Sequence, residues 1–94
     1  MILVIGDTSN QLATWTIDKF GSGQLADNSN YNSLTDAVYF TALGDLNFDQ
    51  IKTLALSAKE VYFVENLPWI NKSALTKTQI LCNHIRQFLS LIHI

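Results

Sequence analysis

Apolar residues along the chain fall into three short runs, separated by stretches in which they recur every three or four positions. The runs cover residues 2–5, 37–43 and 61–64, and turn or helix-capping residues follow each of them. Strands that alternate with helices in this way are typical of parallel strands joined by crossover helices. We therefore predict a single α/β domain over 1–94, a three-layer sandwich with a small, mostly parallel sheet of three or four strands.

The first helix is predicted directly after the strand at 2–6. Thr8 and Gln11 have the spacing of a capping box, in which a hydroxyl at the N-cap is followed three residues later by Gln. Gly21 supplies the residue that commonly ends a helix. These signals place the first helix over 9–20.

The second helix is predicted between the strands at 37–43 and 61–65. Asn47 and Gln50 repeat the capping-box spacing, and Asn is among the preferred N-cap residues. Apolar side chains at helical spacing predict the buried stripe, which consists of Phe48, Ile51, Leu54, Ala55 and Ala58.

The third helix is predicted from a further capping box, Thr76 to Gln79, up to the end of the chain. Its apolar face is predicted from residues that recur every three or four positions. That face consists of Leu81, His84, Ile85, Phe88 and Ile92, widened by Ile80, Leu89 and Leu91.

The segment 21–36 is polar, rich in Asn and turn-prone, and it has no clear periodicity. Two interpretations are open. It forms a short edge strand near Gln24–Asp27 and one helical turn at Ser33–Asp36, or it is a mobile loop.

The strand order that we expect is 2-1-3-4, with the first strand between the edge strand and the strand at 37–43. Sheets of the Rossmann-like or flavodoxin-like type begin in this manner. Parallel strands all end at one edge of the sheet, and such folds bind their ligands there. We therefore expect a functional site at the carboxyl edge.

The last six residues, 89–94, are almost all apolar and stop within a helical pattern. They are also identical to one translation frame of the inverted end sequence of a transposon widely used in library construction. Residues that a vector or transposon adds to a protein carry no information about its fold. One interpretation is an interrupted gene and a longer native protein. The other is that these residues complete the third helix.

Composition narrows the class of protein. The chain is 48% hydrophobic and only 15% charged, which favours burial of part of its surface in a homo-oligomer. A net charge of −2 without a basic run disfavours nucleic acid as a partner. No apolar stretch reaches the length of a membrane span, so we expect no membrane partner. A single cysteine, Cys82, fits the reducing cytoplasm.

The first candidate site is the loop Gly6–Asn10. Glycine allows close approach of a ligand, hydroxyls donate to an anion, and a helix N-terminus adds free N–H groups and partial positive charge. The same residues are ordinary helix caps, so capping alone is the other interpretation. The candidate ligand-binding residues are Gly6, Asp7, Thr8, Ser9, Asn10, Gly44, Asp45 and Trp69.

Three carboxylates form the second candidate site. Asp7, Asp45 and Glu65 each follow a predicted strand, so a parallel sheet would bring them to one edge. Oxygen ligands of this kind suit Mg²⁺. The alternative is that the two aspartates serve the helix termini that follow them and that Glu65 is solvated.

Four other side chains have chemistry of interest. Trp69, on the ligand edge, is expected either to stack on a planar ring or to cover the sheet, and Trp15 is expected to pack. His84, on the apolar face of the third helix, is expected to be a core or interface residue. Cys82 has neither a CxxC partner nor an evident base, which disfavours a nucleophile.

The residues Val4, Ile5, Gly6, Asp7 and Thr8 resemble the opening strand and Gly-Asp-Ser of the SGNH-type esterases. The resemblance implies a nucleophile at the position of Thr8, with Ser9 one place later. It covers about six residues, and the blocks for an oxyanion hole and for Asp-x-x-His do not occur in this chain.

Three functions are therefore open at this point. The leading hypothesis is a module that binds a small anionic ligand, such as a nucleotide or phosphorylated metabolite. The second is the front part of a hydrolase or transferase related to the SGNH-type enzymes. The third is an interaction domain without a small-molecule site.

Overall fold

The computed structural model describes residues 1–7, 9–42, 45–64 and 72–92, and for residues 9, 72–78, 91 and 92 it describes the backbone alone. Strands and helices alternate as the sequence predicts. In chain order the elements are β1 (Ile2–Gly6), α1 (Ser9–Phe20), β2 (Gln24–Leu25), β3 (Val38–Ala42), α2 (Phe48–Ser57), β4 (Glu60–Phe63) and α3 (Lys72–Ile92).

All pairings between these strands are parallel, and the order across the sheet is β2-β3-β1-β4. The predicted small parallel α/β sheet is therefore confirmed. The expected place of the first strand is wrong, because β2 pairs with β3 at Leu25 and Phe40, so β3 separates the edge strand from β1. The connection from β1 to β2 passes over β3, which α1 contacts.

Helices cover both faces of the sheet, which confirms the three-layer arrangement. On one face, Val4 and Phe40 pack with Leu12 of α1. We name this the one-helix face. On the other face, residues of β1 and β3 pack with α2 and α3, and we name it the two-helix face. Its buried members are Leu3, Ile5, Ala26, Tyr39, Leu46, Ile51, Leu54, Ala55, Cys82 and Ile85.

The predicted capping box of α2 is confirmed in both directions. The Gln50 N–H donates to Asn47 Oδ1 at 2.9 Å, and the Asn47 N–H donates to Gln50 Oε1 at 3.0 Å. Two N–H groups at this end of the helix thereby gain acceptors. The reciprocal bonds fix where α2 starts, a few residues after the end of β3.

The third helix begins earlier than predicted. It starts at Lys72, so Thr76 and Gln79 lie inside it and the capping box predicted there is wrong. Cys82 and Ile85 lie at the centre of its buried face, whereas Ile80 is 53% exposed. His84 is also exposed, and its ring packs edge-on against Phe48 with ring centroids 5.7 Å apart. Of the two places expected for His84, the core is therefore wrong, and the interface stays a prediction.

The segment after α1 forms the short edge strand and then a series of turns. No helical turn forms at Ser33–Asp36. The segment is tied back at its end, because the Thr35 N–H donates to the Tyr39 hydroxyl at 3.0 Å and the N-terminal ammonium of Met1 lies 2.8 Å from Asp36 Oδ1. The edge-strand interpretation of the region is the one that holds.

Candidate functional site

Two neighbouring strands end level with each other at the carboxyl edge of the sheet, because Gly6 of β1 pairs with Ala42 of β3. The helices that follow these strands diverge: α1 lies on the one-helix face and α2 on the two-helix face. A crevice forms in open α/β sheets where neighbouring strands send their connections to opposite faces. This places the candidate site between the ends of β1 and β3.

Gly6 brings α1 close to the end of β1. A Cβ built on Gly6 would lie 2.8 Å from Leu12 Cδ1 and 3.3 Å from the carbonyl oxygen of Val64. A larger residue would therefore force the Leu12 side chain of α1 to shift. The close approach sets the first turn of α1, which begins at Ser9, directly beside the strand end.

Asp45 forms hydrogen bonds with the backbone of the last residue of β3. Its Oδ2 accepts from the Ala42 N–H at 3.2 Å, and its own N–H donates to the Ala42 carbonyl at 3.0 Å. The α2 terminus is capped by Asn47 instead. The expectation that Asp45 serves the following helix is therefore wrong, since it closes the preceding strand.

A polar cluster that the sequence did not predict lies on the β2 side of this edge. Asn28 follows β2, and its Oδ1 accepts from Gln50 Nε2 at 2.6 Å, which links the loop to the first turn of α2. Asp27 Oδ1 accepts from both the N–H and the hydroxyl of Ser29, at 2.9 and 2.6 Å. These bonds, that of the hydroxyl first, lower the pKa of Asp27. The only sequence signal for them is the Asn-rich composition of the loop.

Four of the predicted site residues lie outside the described part of the chain: Thr8, Gly44, Glu65 and Trp69. Glu65, one of the three carboxylates predicted to bind Mg²⁺, is therefore not described. Among the described residues, no three His, Cys, Asp or Glu side chains lie close enough together to hold a metal ion. Of the remaining candidates, Gly6 ends β1 and Asp7 follows it, Ser9 and Asn10 begin α1, and Asp45 bonds to the last residue of β3. The structure thus gathers these five at neighbouring ends of two strands.

A second feature lies on the one-helix face, where aromatic rings and charges meet between α1 and β4. Lys19 Nζ lies 5.4 Å from the Trp15 ring centroid and 5.6 Å from that of Tyr62. Phe20 packs edge-on against both rings, at 6.3 Å from Trp15 and 5.1 Å from Tyr62. The Tyr62 hydroxyl donates to Glu60 at 3.0 Å, and this carboxylate raises the pKa of Tyr62. The expectation that Trp15 packs is confirmed.

Two hollows lie away from the carboxyl edge. One, of about 290 Å³, runs along α1 beside Trp15. The other, of about 160 Å³, lies at the amino edge between the β2–β3 connection and α2. Its walls are formed by Met1, Tyr31, Asn32, Leu34, Thr53, Leu54 and Ser57.

Comparison with known proteins gives no information on the chemistry of the site, which is therefore argued from its residues alone. No protein-family model, no curated protein and no solved structure matches this chain. Within the described residues, no helix combines the length and apolar character that a membrane span requires.

Proposed function

We propose that this domain binds a small anionic ligand in the crevice between the carboxyl ends of β1 and β3. The observation that carries the proposal is the divergence of α1 and α2 to opposite faces from two strands that end level with each other. The domain is Rossmann-like in this respect, since folds of that type bind ligands at such a point. The ligand-binding residues proposed are Gly6, Asp7, Thr8, Ser9, Asn10, Gly44, Asp45 and Trp69.

The first turn of α1 supports an anion as the ligand. A helix N-terminus presents N–H groups without intrahelical acceptors, together with partial positive charge. No acidic residue occurs in the first turn of α1, whereas α2 carries Asp49 there. Phosphate groups suit such a position, which favours a nucleotide or a phosphorylated metabolite. The carboxylate of Asp7, at the end of β1, adds a reason for Mg²⁺ to accompany the phosphate.

Thermal unfolding in the presence of ligands tests the proposal. The probes are inorganic phosphate, a sugar phosphate and ADP, each with and without Mg²⁺. A ligand at one hundred times its Kd should raise the free energy of unfolding by about 2.7 kcal/mol. Amide shifts in NMR spectra should then be largest at Gly6, Asp7 and Asn10. If none of the probes stabilises the protein, the proposal is wrong.

A variant at Asn10 distinguishes the effect of charge on anion binding from its effect on the stability of the fold. Asn10 is exposed in the first turn of α1. We expect Asn10→Asp to stabilise the helix by about 0.3–1 kcal/mol while it repels an anion at the same end. Stability and anion affinity should therefore change in opposite directions. The matched control is Asp49→Asn in the first turn of α2, which should leave the affinity unchanged.

A cytoplasmic location belongs to the same proposal. Cys82 is the single cysteine of the chain and is fully buried in the two-helix face, so the chain has no internal disulfide. Chains without disulfides are usual in a reducing compartment, where nucleotides and phosphorylated metabolites are also abundant.

A further inference from the structure

The hollow beside Trp15 has the form of a socket for a side chain of another helix. Gln11, Thr14, Trp15 and Asp18 line it, at positions i, i+3, i+4 and i+7 of α1. Four residues with this spacing enclose the hole into which a knob from a facing helix inserts when two helices pack side by side. At about 290 Å³ it is large enough for a bulky side chain.

The same surface also carries a knob. Trp15 is half-buried, with its ring held by Phe20 and by the Lys19 ammonium 5.4 Å from its centroid. A tryptophan that is already ordered loses little further conformational freedom on binding, and tryptophan is enriched among the residues that dominate interfaces. Knob and hole on one surface are the requirement for a self-complementary, two-fold contact.

The layers of the domain leave space for a second helix here. Four strands spaced about 4.8 Å apart make a sheet roughly 19 Å wide, whereas one helix with its side chains is about 10–12 Å across. Two helices cover the two-helix face, but among the described residues only α1 covers the other. Trp15 and Tyr62 therefore stay half-buried on the flank of α1 that faces β4.

We propose that this surface binds a second copy of the chain, with the two α1 helices antiparallel across a two-fold axis and each Trp15 inserted into the hole of its partner. With Trp15 opposite the partner's Thr14, Asp18 lies opposite the partner's Gln11. The homo-oligomer that composition favours is then a dimer built on α1.

Charge complementarity sets the antiparallel direction. Asp18 near the end of one α1 meets the positively polarised first turn of the other α1. No acidic residue stands in that first turn to oppose it. A parallel arrangement would instead bring Asp18 beside the partner's Asp18, and like charges repel. The two-fold arrangement makes the favourable contact twice.

Sedimentation equilibrium of the full chain tests the proposal, with circular dichroism as the check on folding. Wild type should have twice the 10.6 kDa mass of the chain. Thr14 is exposed, so Thr14→Lys should fill the hole and weaken dimerisation at least tenfold without unfolding the protein. The control is Ile17→Lys, at an apolar residue 47% exposed on the opposite flank of α1, which should still dimerise.

Charge exchange tests the direction of the helices. Asp18→Lys should weaken the dimer at least tenfold at low salt. Adding Gln11→Glu should restore most of the affinity, because the two substituted side chains then carry opposite charges and face each other across the interface. A monomeric wild type, a Thr14→Lys variant that dimerises normally, or an Ile17→Lys variant that does not dimerise overturns the proposal. Failure of Gln11→Glu to rescue Asp18→Lys overturns the antiparallel arrangement.

Discussion

The two faces of the sheet differ in how completely they are covered. On the two-helix face, α2 and α3 bury Ile51, Leu54 and Ile85 to 2% exposure or less. On the one-helix face, α1 buries Leu12 and Thr16 as completely, but Trp15 and Tyr62 at its flank stay half-buried. Buried apolar area is the main source of stability. The two-helix face therefore contributes more to folding, and the flank of α1 remains available for binding.

Both proposals arise from this asymmetry. The proposed crevice at the carboxyl edge follows from the helices after β1 and β3 going to opposite faces. The proposed dimer surface follows from the incomplete cover of the other face, where α1 is the only described helix. The ligand would thus bind at the N-terminus of α1 and the partner along its outer flank, with the partner's Asp18 opposite Gln11 in the first turn.

The largest effect is expected from the two-helix face. Ile51→Ala removes a side chain that is 1% exposed in its core, and we expect a loss of about 2–5 kcal/mol in the free energy of unfolding. Ile17→Ala, on the exposed flank of α1, should change it by no more than about 0.5 kcal/mol. Urea unfolding measures both, and similar losses would remove the distinction between the faces.

A smaller loss is expected where the one-helix face meets β1. Gly6→Ala places a Cβ 2.8 Å from Leu12 Cδ1, and we expect it to cost about 1–3 kcal/mol of unfolding free energy. Leu12→Ala removes that close contact. The cost of Gly6→Ala should therefore be smaller in a Leu12→Ala background than in wild type, as a double-mutant cycle by urea unfolding would show.

Gly21 is the matched control for this cycle. Its φ of +81° disfavours a side chain, but a Cβ there has no atom within 4 Å. Gly21→Ala should cost about 1 kcal/mol through backbone strain alone, and this cost should be the same with and without Leu12→Ala. Equal coupling of both glycines to Leu12 would contradict the close-packing explanation for Gly6.

Local patterns in the sequence predicted the elements but not their neighbours. The bounds of α1 agree with the prediction over 9–20, and the Asn47–Gln50 box forms as expected, because both depend on residues within one or two turns. The place of β3 beside the edge strand depends on pairs such as Leu25 with Phe40. Alternation of apolar residues carries no information on which strand pairs with which.

The same limit applies to the third helix and to the site. Thr76 and Gln79 have the spacing of a capping box, yet both lie inside α3. The spacing of two residues does not tell whether the residues before them are already helical. Ile80 is exposed because the sheet and α2 determine which side of α3 is buried. The bond between Asn28 and Gln50 joins residues 22 positions apart, and only the fold brings them together.

Two buried threonines, one on each face, should respond with opposite signs. Thr41 alternates with Phe40 and Ala42 along β3, so it belongs to the two-helix face, and its Oγ1 has no hydrogen-bond partner in the described structure. Thr16 in α1 donates to the Leu12 carbonyl at 2.7 Å. Both side chains are 0% exposed.

We expect Thr41→Val to raise the free energy of unfolding by up to about 1 kcal/mol, because it removes a desolvated hydroxyl without changing shape. Thr16→Val should lower it by about 0.5–1.5 kcal/mol, since it loses a bond that is made. Urea unfolding of the two variants gives the comparison. A loss of stability in both would show that the Thr41 hydroxyl has a partner in solution.

The smallest effect is expected from two carboxylates that lie outside both cores, the half-buried Asp27 and the exposed Asp36, at the two ends of the β2–β3 connection. The bonds from Ser29 lower the pKa of Asp27, and the N-terminal ammonium lowers the pKa of Asp36. A carboxyl whose folded pKa is depressed contributes stability above its unfolded pKa, about 3.9, and loses it as pH falls through the folded value.

Stability should therefore decline on acidification below about pH 4, where these carboxylates gain protons that the unfolded chain has already bound. Urea unfolding between about pH 2 and pH 7 measures this decline, in a window that follows from the ordinary carboxyl pKa. Asp36→Asn should flatten it by removing the ion pair at the amino edge. Asp27→Asn should flatten it by removing the titrating carboxyl at the carboxyl edge, although its amide oxygen can still accept from Ser29. Neither variant should alter the difference between Ile51→Ala and Ile17→Ala, because distant sites contribute independently. If the free energy of unfolding declines on acidification as much in both variants as in wild type, other groups of the chain cause the pH dependence.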